Sequence, residues 1–283
     1  MRILAVCAIL VFDVAVWARG YPGCAGREFL LVVGIMYILD DGIKLNAKID
    51  MPKDGAEKCP LCIIIHGFTG HMEERHIIAV QEAMNELGVA TLRVEMYGHG
   101  GSDGEFRNHT LYKWLTNAMA AVDYARSLDF VTDIYLCGHS QGGLTSMLLA
   151  GMERDRIKAL LPLSPALCIL TGARSGNLLG QPFDPNNVPE ELVNWDNRKL
   201  SGNYVRAAQT LHIEEAIDRY EKPVLIVHGD ADEAVPYEDS VEAAKRYNNC
   251  KLVTIPGDTH CYDNDLEKVV EAVKDFMREQ LAQ

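Results

Sequence analysis

The residue best placed for nucleophilic chemistry is Ser140, in Gly138-His139-Ser140-Gln141-Gly142, a G-x-S-x-G motif. An apolar run at 134–137 precedes it and a helical run at 144–152 follows. A strand, a sharp turn and a helix in that order lift a hydroxyl clear of a sheet edge, near the positive end of the helix. The flanking glycines suit a turn too tight for side chains. A serine hydroxyl is a weak nucleophile, so this reading requires a base and a third group that orients the base.

In chains that use this turn, the acid and then the histidine follow the serine. Of nine histidines, only His212, His228 and His260 do so. His212 falls in a stretch read below as a cap. His228 directly follows an apolar strand pattern, where a packed core histidine is equally expected. His260 lies in Pro256-Gly257-Asp258-Thr259-His260, a loop between the last strand and the last helix, and is the expected base. The acid is sought in His228-Gly229-Asp230-Ala231-Asp232-Glu233, where three carboxylates qualify. The residue pattern does not separate Asp230 from Asp232; the one left over is expected to bond backbone in the turn. A tetrahedral intermediate needs two N–H donors. Gln141, after the nucleophile, supplies one, and Phe68 in His66-Gly67-Phe68-Thr69-Gly70 the other, with His66 bracing the loop.

These residues need a scaffold, and the hydropathy pattern describes one. Continuous apolar runs at 61–65, 89–94 and 134–137 read as buried parallel strands, followed by strand patterns at 157–163, 224–227 and 252–255. Helical spacing fills the intervals, including 111–122, 237–247 and 266–281. The alternation predicts an α/β fold, a mostly parallel sheet with helices on both faces. Asp41-Gly42 between 36–39 and 43–49 reads as a two-residue hairpin. Residues 164–221, rich in Gly, Pro and Asn, interrupt two strands expected to be neighbours and read as a cap over the sheet edge where such folds bind ligands.

Composition narrows the partners. The 283 residues suffice for one large domain, with 48% hydrophobic and 24% charged residues. A formal net charge of -13 argues against nucleic acid, which needs a basic face, and favours a neutral small-molecule substrate. Eight cysteines in a chain this long do not read as a disulfide framework. Cys59-x-x-Cys62 has no second pair at ligand spacing and reads as part of a strand, so no metal is expected. Gly98-His99-Gly100-Gly101-Ser102 lacks phosphate-loop spacing and reads as a structural turn; His71 and His76 are expected to cap and solvate a helix start. Residues 1–35 allow two readings: a signal peptide ending near Ala18, hence secretion, or a region upstream of a start at Met36, hence a cytoplasmic protein. The second is favoured because the domain pattern begins at Met36. Neither apolar run there reaches the ~18 to 20 residues of a spanning helix, so no stable membrane insertion is expected.

Several motifs together carry a family resemblance. HGFTGH at 66–71, MYGHGGSDG at 96–104, GHSQGG at 138–143, HGDADEAVP at 228–236 and IPGDTHCYD at 255–263 span nearly all of residues 36–283. In these the chain resembles the cinnamoyl and feruloyl esterases of the α/β-hydrolase superfamily. The resemblance implies an α/β-hydrolase fold with a small inserted cap, and Asp232 as the acid. It supports Phe68 and Gln141 as the oxyanion pair. It also implies a cap that receives an aromatic acyl group, for which Trp195 and Tyr204 are the candidates here; both could instead fill the cap's own core. The activity the resemblance implies is hydrolysis of a hydroxycinnamate ester of plant-wall sugars, such as a feruloyl ester, through a Ser140 acyl-enzyme, without cofactor. The rivals are a general carboxylesterase, a monoacylglycerol-type lipase or a serine peptidase on the same scaffold, or a catalytically silent binding module.

Overall fold

A computed structural model of the chain describes residues 35–53, 55–193 and 197–282, together with two short backbone segments at 15–16 and 30–32. In chain order the first elements are β1 (Ala15–Val16), β2 (Leu30–Val32), β3 (Ile35–Asp40), β4 (Ile43–Asp50), β5 (Cys59–Ile65), α1 (Arg75–Glu86) and β6 (Ala90–Val94). Next come α2 (Leu111–Arg126), β7 (Val131–His139), α3 (Gln141–Met152), β8 (Ala159–Leu163) and α4 (Cys168–Ser175). The short strands β9 (Asn177–Leu178), β10 (Gln181–Pro182), β11 (Glu191–Val193) and β12 (Lys199–Ser201) follow. The chain ends with α5 (Gly202–Thr210), α6 (Ile213–Arg219), β13 (Val224–Gly229), α7 (Tyr237–Arg246), β14 (Cys250–Ile255) and α8 (Leu266–Leu281).

Ten strands form one sheet in the order β1-β2-β3-β4-β6-β5-β7-β8-β13-β14. From β6 to β14 every pairing is parallel, and the β1 to β4 edge is antiparallel. The hairpin between β3 and β4 turns at Asp41 and Gly42, whose φ values of 47° and 82° account for the Asp-Gly pair. Of residues 1–35, only these short strands and Ile35 are described.

The apolar runs are continuous because both faces of the central strands are covered. Along β5, Leu61, Ile63 and Ile65 enter one core with Trp114 and Leu115 of α2 and Leu144 and Met147 of α3. The intervening Cys62 and Ile64 enter a second core with Ile77 and Met84 of α1 and Val269, Val273 and Phe276 of α8. Alternate side chains thus serve opposite layers. Thr110 and Asp265 cap α2 and α8, accepting from the N–H groups of Lys113 and Lys268.

The insertion between β8 and β13 holds α4, the β9/β10 and β11/β12 hairpins, α5 and α6. Its last helix returns to the main layer, where Ala216 of α6 meets Gly151 of α3. Among the described residues, no helix is long and apolar enough to cross a membrane.

Trp114 is fully buried and packs edge-on against His66 and His99, the rings beneath the loop that follows β5. Replacing it with alanine leaves a cavity the backbone cannot fill. Trp114→Ala is therefore expected to lower the unfolding free energy by about 3–5 kcal/mol, measured by urea denaturation.

Candidate active site

The strand, turn and helix around Ser140 form a strained elbow. Ser140 has φ 55° and ψ -119°, a backbone conformation that is costly for a residue bearing a Cβ. Its N–H donates to the Leu163 carbonyl (2.9 Å) and its carbonyl accepts from Ala166 (3.0 Å) and Leu144 (3.0 Å). The glycines are required by contact. A Cβ on Gly138 would lie 2.2 Å from the Gly142 carbonyl oxygen, and one on Gly142 would lie 2.3 Å from that of Ile65. The helix begins at Gln141, earlier than the apolar run indicates.

Beside this turn stand the base and acid. The Ser140 hydroxyl lies 2.8 Å from His260 Nε2, in position to donate to it. His260 Nδ1 lies 2.7 Å from Asp232 Oδ2, which accepts its proton. Asp232 Oδ2 also accepts from His228 Nε2 at 2.9 Å, while Oδ1 takes the N–H groups of Ala234 (2.8 Å) and Val235 (2.9 Å). Burial by itself pushes this carboxyl up, but the hydrogen bonds from His228 and His260 reverse the effect and hold it well below the usual range. Asp230 faces the other way, accepting from the Gly257 N–H at 2.5 Å. The two aspartates thus divide the work: one meets the imidazole, the other pins the loop that carries it.

Three further residues shape that loop; they lie within the quoted motifs, but nothing in the motifs assigned them a role. His139 Nε2 donates to the His260 carbonyl at 2.8 Å, its ring 4.7 Å from that of His260. Burial and the neighbouring His76 hold its imidazole well below the usual range, so it stays neutral. Asp258, fully buried, accepts from the N–H groups of Thr259, Asn264 and Asp265. Tyr262, at φ 58°, sends its hydroxyl to the Val227 carbonyl (2.9 Å) and receives that of Ser164 (2.9 Å). A buried acid among backbone amides and a tyrosine at positive φ become visible only once the loop is folded.

The loop after β5 is clamped from beneath. His66 Nδ1 donates to the Gly67 carbonyl and its Nε2 accepts from Met96 N–H, so this histidine braces rather than reacts. His99 Nε2 meets the Phe68 carbonyl at 2.6 Å. Gln141 is fully buried, and its side-chain Oε1 accepts the Tyr204 hydroxyl at 2.5 Å. Tyr204 is itself 0% exposed and packs edge-on against Phe68 and His109. Enclosure and a satisfied hydroxyl set this tyrosine against the oxyanion candidates Gln141 and Phe68. Trp195 lies outside the described residues. His71 is exposed and accepts from the Glu73 N–H, as a capping group would, whereas His76 lies 3% exposed inside α1, its ring tilted against that of His139 with centroids 4.1 Å apart. Solvation of His76 is thereby corrected, because it is buried with the His139 ring packed against it.

Ser140 and His260 open into a cleft of about 100 Å³ whose wall includes Phe68, His139, Ala166, Ile169 and Leu179. Among the described residues no cluster of three or more His, Cys, Asp or Glu has metal-binding geometry. A nucleophile, a base within hydrogen-bond reach and a carboxylate fixing the base are the parts of acyl-transfer chemistry.

Comparison with known proteins agrees with this geometry. Residues 56–198 match the family described as serine aminopeptidase, S33, and residues 194–281 match that described as TAP-like protein. The chain belongs to the α/β-hydrolase family of serine hydrolases. Within it the chain is similar to Est1E from Butyrivibrio proteoclasticus, solved with ferulic acid bound: 71% identity, covering 88% of this chain and 100% of that one, TM-score 0.87. The human palmitoyl-protein thioesterase ABHD10, mitochondrial, is 24% identical over 198 residues, 67% of this chain and 62% of that protein. This chain therefore spans less than two thirds of the length of the curated thioesterases it matches.

The depressed Asp232 carboxyl ties stability to pH. A group whose folded pKa lies below its unfolded value contributes stability above the unfolded pKa and loses it as pH falls toward the folded one. Unfolding free energy is expected to decline below about pH 4, with a shallower decline in Asp232→Asn, as read from urea titrations across that range.

Proposed function

We propose that this chain is a serine esterase acting on hydroxycinnamate esters of the feruloyl type. The observation that carries the reading is the Ser140–His260–Asp232 relay, 2.8 and 2.7 Å long, at the floor of a cleft with an apolar wall. The bound ferulic acid of Est1E, at 71% identity, supports the choice of acyl group. His260 takes the Ser140 proton as the hydroxyl attacks the ester carbonyl. Asp232 holds the Nδ1–H tautomer and stabilises the imidazolium that forms. The oxyanion is received by the N–H groups of Phe68 and Gln141; the latter, at the first position of α3, has no acceptor within its own helix.

His260 then protonates the departing alcohol, and in the second half-reaction deprotonates a water that attacks the acyl-enzyme. Serine is regenerated and the hydroxycinnamic acid leaves. The acyl ring lies along the wall of Phe68, Ile169 and Leu179. Tyr204 acts from behind the wall, holding the Gln141 side chain so that its backbone N–H stays aimed at the oxyanion.

Two experiments test this. Steady-state kinetics with methyl ferulate and a short aliphatic p-nitrophenyl ester are expected to give a clear preference for ferulate, with kcat lowered about 10⁶-fold in Ser140→Ala. Rapid aliphatic turnover with negligible ferulate cleavage would instead identify a general carboxylesterase. Asp232→Asn is expected to cost about 10⁴-fold in kcat, and Asp230→Asn much less; the reverse order would exchange their roles.

A further inference from the structure

Asp232 receives two imidazoles on one oxygen. Its Oδ2 accepts from His260 Nδ1 at 2.7 Å and from His228 Nε2 at 2.9 Å, while Oδ1 is filled by the N–H groups of Ala234 and Val235. The second imidazole takes no proton from Ser140 and is not among the residues lining the cleft. We propose that His228, with Ser240 behind it, is a positioning residue for the reaction, fixing Asp232 Oδ2 at the point where His260 must meet it. This rests on the esterase reading above and adds a fourth side chain to its relay.

The surroundings of His228 differ from those of a histidine that only braces a loop. His66 uses both ring nitrogens on main chain, the Gly67 carbonyl and the Met96 N–H. His228, fully buried, meets two side chains instead: Asp232 at Nε2 and the hydroxyl of Ser240, in α7, 2.7 Å from Nδ1. An ionised carboxylate can only accept, so Nε2 carries the proton. In the neutral ring Nδ1 is then an acceptor, and the Ser240 hydroxyl donates to it and fixes that tautomer. Ser240 is itself fully buried, away from competing water.

The donor matters because the base cannot follow a displaced carboxylate. His228 stands near the end of β13, which is paired with β8 on one side and β14 on the other. The loop bearing His260 lies directly on the end of that strand: a Cβ on Gly229 would come 2.4 Å from the Asp258 carbonyl oxygen. The His260 carbonyl is tied in turn to His139. Burial pushes the Asp232 carboxyl up, and the hydrogen bond from His228 opposes this more strongly than that from His260. Without His228, Oδ1 would stay on its two amides, but Oδ2 would be free to swing and would lengthen the bond to His260 in both half-reactions.

The test compares His228→Gln and His228→Asn with the wild type on methyl ferulate, with active sites titrated by a fluorophosphonate so that only folded, reactive enzyme is counted. A glutamine amide reaches as far along the side chain as Nε2 and keeps the donor to Asp232. An asparagine amide reaches only as far as Nδ1 and loses it. His228→Asn is expected to lower kcat about tenfold, the worth of one hydrogen bond to a charged acceptor felt at the transition state. His228→Gln should lower it by no more than about threefold. KM is expected to stay unchanged in both, because the relay serves acylation and deacylation alike. The proton resonance of His260 Nδ1–H should shift in His228→Asn and hold its position in His228→Gln. A kcat in His228→Asn within about twofold of wild type, or an equal loss in the two variants, would overturn the role. Should His228→Asn fail to fold, Ser240→Ala decides: a shifted resonance with a kcat about threefold lower supports the role, and no change in either overturns it. If the wild type cleaves the short p-nitrophenyl ester but not ferulate, the feruloyl reading falls, and the same comparison on that ester still decides His228.

Discussion

The structure depends on one strained turn. At Ser140 the backbone must pass from the end of a central strand into a helix within a single residue, at a positive φ. That geometry survives because its neighbours over-determine it: the amide of Ser140 is held by β8, its carbonyl by the start of the cap, and glycines at 138 and 142 allow β7, α3 and the end of β5 to touch. The strain keeps the hydroxyl above the sheet edge, at the cleft. Every other functional group is positioned relative to that point.

The positioning is done by buried polar contacts rather than by the hydrophobic core. Asp232 joins three elements, taking hydrogen bonds from His228 at the end of β13, from the backbone of the following turn, and from His260 beyond β14. Asp230, Asp258 and His139 fix the His260 loop from three more directions. Such networks are costly if any member is left unsatisfied, so they select one arrangement of the loops. On the other side, His66, His99 and Trp114 hold the Phe68 loop, with Tyr204 packed against it from the cap. The cleft between these two rigid sides is left to the substrate.

Its chemical asymmetry follows from what each wall is made of. The cap contributes leucines from hairpins with little core of their own, which find apolar cover against Phe68. The opposite wall is the start of α1, a loop clamped by Arg93 and Arg75, and it leaves a carboxylate facing the cleft. The reactive groups thus stand on sheet-edge loops, while the cleft walls around them come from the cap and the start of α1.

Much of the scaffold was legible in the residues themselves. The continuous apolar run that became β5, the apolar stripe that became α8 at Leu266–Leu281, and the Asp41-Gly42 hairpin are local patterns, and local backbone preferences encode them directly. So is the elbow, because glycine spacing reports how closely other backbone must approach. Partner choice is different. Asp230 and Asp232 stand two residues apart in the same turn, and nothing within that turn says which one faces His260. Nor does any spacing link His139 to a carbonyl 121 residues away, or Tyr204 to Gln141 across 63 residues. These contacts exist because strand order sets β7, β8, β13 and β14 side by side, so their terminal loops compete for the same few donors and acceptors. The sequence by itself determined the elements and the chemistry they could carry; which side chain met which was decided by packing, where many distant groups must be satisfied at once.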